Sequence, residues 1–201
     1  MNIYQNEEKE IFVDQLDFLE KMEIQQFVKQ NPEAMLKKDE NRLVRKIQGQ
    51  LSWAASQTRP DLAFDALQIS TILNKSCYKD AKYANKVALK AKTEQVHLKF
   101  THLGNIEDLH IEVFADASLG NMEKDLETKS VMGYFICLAN SKMDINPLHW
   151  KSRVIDKVAE DIKTAETLAL ETAIDDGIHF YNLLMDIQWK CARKYHSHNC
   201  E

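Results

Sequence analysis

The spacing of apolar positions changes twice along the chain, from a helical period before about residue 95 to a period of two after it, and back to a helical period from about residue 159. Residues 14–28 read as a short helix, broken by Asn31-Pro32. Residues 42–56 place Leu43, Val44, Ile47, Leu51 and Trp53-Ala54-Ala55 near helical spacing and stop before Thr58-Arg59-Pro60. Pro60 suits the first turn of a helix, where its missing N–H has no partner to lose, and Asp61 complements the positive dipole end. The pattern predicts helices over 60–74 and 79–94, the second with Ala81, Ala84, Ala88 and Ala91 along one side.

Alternation begins with Val96-His97-Leu98-Lys99-Phe100 and recurs from Leu109 through Asp116. The nearly continuous apolar run Val131-Met132-Gly133-Tyr134-Phe135-Ile136-Cys137-Leu138 predicts a strand buried on both faces. A short strand follows over 147–152, after a connection rich in turn formers at 140–146. The last element is a long helix over 159–187, with a stripe of Ile162, Ala165, Ala169, Ala173, Gly177, Phe180 and Leu184. Glu166 borders that stripe.

Composition narrows the class without naming it. With 201 residues, 44% hydrophobic and 28% charged, the chain has the material for one globular domain, or for one with a partial neighbour, not for a disordered or fibrous protein. No run reaches the ~18 apolar residues of a membrane span, and the first residues are acidic, so no membrane partner and an intracellular location, cytoplasmic or nuclear, are expected. Cys77, Cys137, Cys191 and Cys200 have no motif spacing and are expected as free thiols.

The net charge of −5 hides an asymmetry: residues 75–99 hold seven lysines against Asp80 and Glu94, a local +5, which leaves −10 elsewhere. Lys79, Lys82, Lys86 and Lys90 recur every three or four residues and form one helical stripe. Such a stripe is ordinarily a solvated face; its functional reading is contact with nucleic-acid phosphates. Cys191, His196, His198 and Cys200 bear zinc-type atoms, but their spacing fits no familiar finger, and a frayed tail is expected. Trp53 and Trp150 are expected to pack in the core or at a junction.

Asp116 ends the second alternating run and Glu166 lies on the long helix, so two carboxylates sit on elements able to converge on a metal. Their surroundings resemble a family. Gly49-Gln50-Leu51-Ser52-Trp53-Ala54 and Thr58-Arg59-Pro60-Asp61-Leu62-Ala63-Phe64 resemble the segment between reverse transcriptase and ribonuclease H in Ty1/copia-type retrotransposon Pol polyproteins. Phe114-Ala115-Asp116-Ala117-Ser118, Lys129-Ser130-Val131-Met132-Gly133-Tyr134, Trp150-Lys151-Ser152-Arg153 and Ala165-Glu166-Thr167-Leu168-Ala169-Leu170 follow in that family's order. An ordered series of short motifs is far more specific than any one alone.

The resemblance implies an α/β fold: a ribonuclease H-like mixed sheet with flanking helices over 95–187, its last strand missing. A helical remnant of the reverse transcriptase tail and connection precedes it over 1–94, and an unmatched tail occupies 188–201. It further implies that Asp116 and Glu166 are catalytic metal ligands for Mg²⁺ or Mn²⁺. The ancestral reaction is two-metal hydrolysis of the RNA strand of RNA–DNA hybrids, and the ancestral partners are nucleic acid and the rest of a Pol polyprotein. The family's third ligand is an Asp on a strand after the long helix, and none is found before Glu201. Asp176 lies ten residues beyond Glu166, ~15 Å along the helix axis, too far to substitute. The expectation is therefore a retrotransposon-derived, inactive remnant. A weak nucleic-acid-binding or interaction module is the alternative.

Overall fold

A computed structural model describes residues 1–27, 31–122, 129–157 and 159–198. It is a mixed α/β structure with two three-stranded antiparallel sheets and helices. The first sheet, ordered β1 (Asn2–Gln5), β2 (Ile11–Asp14), β3 (Leu98–Phe100), lies beside a helical unit of α1 (Leu16–Glu20), α2 (Lys38–Gln57), α3 (Ala63–Ile72) and α4 (Tyr78–Thr93). The second sheet is ordered β4 (His110–Met122), β5 (Lys129–Ala139), β6 (Ile145–Val154), and α5 (Ile162–His198) packs on it.

The helices at 42–56, 60–74 and 79–94 form close to where the pattern predicts them. α2 begins at a capping box in which the Glu40 carboxylate accepts the Lys37 N–H at 2.9 Å. Its buried Val44, Ile47, Leu51 and Ala54 recur at three- and four-residue steps. Asp80 closes the start of α4 in the same way, accepting the Cys77 N–H at 2.9 Å, while Lys90 and Lys92 sit at the negative end of its dipole. Ala81, Ala84, Ala88 and Ala91 are buried, as their spacing requires.

Three expectations are corrected. The helix over 14–28 reduces to the five residues of α1: Ile11–Asp14 is a strand, and Val28 lies outside the described residues. The Asp14 carboxylate turns the chain at this point by accepting the Leu16 N–H. The 96–100 strand joins the amino-terminal sheet, pairing Ile11 with Phe100 and Val13 with Leu98, instead of opening the second sheet. Alternation reports a pleat but not a partner. Trp53 is 52% exposed on α2, whereas Trp150 packs at the junction as expected, its indole N–H donating to the Ala55 carbonyl at 2.6 Å.

In the second sheet β4 and β5 form a long ladder from His110↔Ala139 to Ser118↔Val131. β6 is an edge strand, which is why Pro147 is tolerated in it beside the irregularity at Ile136/Cys137. All pairs in this sheet are antiparallel; a mixed sheet needs a crossover into a parallel strand, and none follows α5 among the described residues. On its other side β4 has no strand partner among the described residues.

Alternation sends Ile111, Val113, Ala115 and Ala117 beneath α5, where they meet Ala165, Ala169, Ala173 and Phe180. The small residues let the helix lie close to the sheet. α5 also continues well past 187, to His198, where a frayed tail was expected. Besides Trp150, the Asn146 side chain joins the sheet to the segment before it, donating to the Thr101 carbonyl and accepting its N–H, both at 2.8 Å.

Candidate functional site

Asp116 sits in the middle of β4, opposite Gly133 of β5, which in turn lies opposite Ser152 of β6. Because Ala115 and Ala117 are directed beneath α5, Asp116 projects from the other face, toward the helical unit, and is exposed. It lines a groove of about 590 Å³ whose walls include Phe64 of α3, Phe114, Phe135 and Trp150. Glu166 is half-buried on α5, next to the buried Ala165. A Cβ at Gly177, three turns further along the same helix line, would lie 2.8 Å from the Val113 methyl, so Glu166 is on the side of α5 that lies over β4.

The two carboxylates therefore stand on opposite sides of one strand. Among the described residues, no group of three or more His, Cys, Asp or Glu could hold a metal ion. Two hard cations need several shared carboxylate oxygens to bind and to balance their charge. A donor set of two carboxylates divided by a strand does not fit a two-ion centre.

Asp176 has another occupation. The Tyr134 hydroxyl donates to its carboxylate, and His149 Nε2 lies 3.5 Å from that same hydroxyl. Phe180 stacks on the His149 ring at 5.8 Å. Burial and the neighbouring Asp176 carboxylate hold the Tyr134 phenol well above its ordinary range. Burial pushes the His149 imidazole down, partly opposed by Asp176 and assisted by Lys151. Nothing in the spacing of positions 134, 149 and 176 announces this cluster, because it depends on the strand register.

The sign of the His149 effect follows from linkage. The unfolded chain takes up the proton near its ordinary value of about 6.5, before the folded form does. Stability contributed by neutral His149 is full above that value and is lost as pH falls from there toward the lower folded value. Urea unfolding at pH 7.5 and 5.5 is expected to show a larger loss for the native chain than for His149→Gln. Equal losses would remove His149 as the cause.

The lysine stripe is only partly preserved. Lys79, Lys82 and Lys86 are exposed along α4, but Lys90 is half-buried and its ammonium lies 3.7 Å from the Asp65 carboxylate. Lys92 is drawn inward to the Met22 carbonyl at 2.7 Å. Cys77 and Cys137 are buried free thiols. Cys200 and the side chains of Cys191, His196 and His198 lie outside the described residues. No described helix is long and apolar enough to cross a membrane.

The fold and site define a mixed α/β protein with a carboxylate in an aromatic groove. No family model, curated protein or solved structure compared with the chain matches it.

Proposed function

We propose that the chain derives from the junction of reverse transcriptase and ribonuclease H in a Ty1/copia-type retrotransposon Pol polyprotein, and that its ribonuclease H-like unit does not hydrolyse RNA–DNA hybrids. The supporting observation is the arrangement around β4. Three antiparallel strands run in the order of the motifs, a long helix returns across the first of them, Asp116 lies on that strand and Glu166 on that helix. The open side of β4 is where a strand following α5 would pair in parallel, by a right-handed crossover.

Silence follows from the carboxylate count. Among the described residues no third acidic group joins Asp116 and Glu166, so Mg²⁺ or Mn²⁺ would have an incomplete donor set there. Incubation of the purified chain with a labelled RNA–DNA hybrid and either cation is expected to give no cleavage beyond that of Asp116→Asn. Cleavage that Asp116→Asn abolishes would overturn the silent reading. The second reading, weak nucleic-acid association, is favoured by the exposed Lys79, Lys82 and Lys86. Retention of the hybrid in the same assay should then weaken steeply with salt, as phosphate contacts do.

A further inference from the structure

The sheet face turned toward the helical unit is built in cross-strand rows. One row is aromatic: Phe114, Phe135 and Trp150 lie side by side on β4, β5 and β6, with the last two rings near-parallel at 6.5 Å. The next row is Asp116, Gly133 and Ser152. Gly133 contributes no side chain, so the row has a carboxylate at one end, a hydroxyl at the other and a bare floor between them. Phe64 and Phe114, each about half exposed, stand at the mouth of the groove. Its volume of about 590 Å³ falls in the range of roughly 300–1,000 Å³ usual for small-molecule sites.

We propose that this groove binds a planar heteroaromatic ring presenting two adjacent N–H donors, the hydrogen-bonding edge of guanine, with Asp116 as the acceptor. A flat ring fits over a floor that lacks a Cβ and packs against the aromatic row. A carboxylate accepts two parallel N–H bonds in the bidentate geometry that such an edge offers. Adenine places no such pair of donors on one edge. A cationic guanidinium is the other common paired donor, but the larger flat ring covers more of the aromatic row and of the bare floor. The inference is independent of the nuclease ancestry, since it uses neither Glu166 nor a metal ion.

Calorimetric titration of the full chain with guanosine monophosphate in EDTA tests it. Saturable binding is expected, at least about tenfold tighter than for inosine or adenosine monophosphate, because each lacks a donor that the site pairs. Asp116→Asn is isosteric and exposed, so it should fold normally and lose that preference. A Cβ at Gly133 would meet only the Lys151 carbonyl, at 3.9 Å. Gly133→Ala should therefore fold and weaken binding by raising the floor. A single-stranded oligonucleotide with one guanine that outcompetes the mononucleotide would identify a base in nucleic acid as the source, and the reverse order a free nucleotide; both support the site. No saturable binding, equal binding of adenosine monophosphate, tighter binding of agmatine, or an unaffected Asp116→Asn would each overturn it.

Discussion

Arg59→Ala is expected to destabilise the chain by about 2–4 kcal/mol, through buried carbonyl acceptors left unpaired and lost packing. Arg59 is 0% exposed. Its guanidinium forks onto both Asp61 carboxylate oxygens at 2.8 Å and donates to the carbonyls of Ala91 and Glu94 at 3.0 and 3.1 Å. Those carbonyls belong to the last turn of α4 and its cap, where oxygens lack helical partners and the dipole is negative. Alanine removes the donor to both carbonyls together, while Asp61, being exposed, is left to water. Lysine keeps the charge but not the planar fork, so Arg59→Lys should lose less than alanine yet remain clearly destabilised. Urea unfolding followed by circular dichroism measures both; an Arg59→Ala midpoint equal to that of the native chain would refute the role.

Gly177→Val is expected to cost about 2–3 kcal/mol, although valine ordinarily suits a helix interior better than glycine. The glycine is needed for space. A Cβ there would lie 2.8 Å from the Val113 methyl on β4, closer than real side chains approach. The helix must lift from the sheet or β4 must shift, and the packing of Ala173 and Phe180 with Val113 and Ile136 is disturbed. Combining Gly177→Val with Val113→Ala should cost less than the sum of the two single changes, by the coupling expected of residues in contact. Strict additivity would show that the close approach is not what the glycine serves.

Both cases bear on how the chain is read. Pro60 with Asp61 is legible in the sequence as a helix start. That Arg59 is buried and ties off the far end of α4 is not legible, since its partners at 91 and 94 are over thirty residues away. Gly177 reads as one small member of an apolar stripe, and only the packing of α5 on β4 shows that nothing larger fits.

The candidate site divides in the same way. Asp116 on a strand and Glu166 on a helix are readable from local pattern. Their separation by the strand itself is not. The lysine stripe follows from three- and four-residue spacing, but the withdrawal of Lys90 to Asp65 depends on α3 lying alongside α4.

The sequence by itself determined the kind and rough extent of most elements, because helical and strand periods are local and caps such as Glu40 and Asp80 act within one turn. It also determined which face of β4 carries Asp116, relative to its neighbours. Tertiary structure alone decided that β3 belongs with β1 and β2, that Phe114, Phe135 and Trp150 align, and that Gly133 opens a floor between Asp116 and Ser152. Register and partner choice arise from contacts between residues distant in the chain, on which a local pattern carries no information.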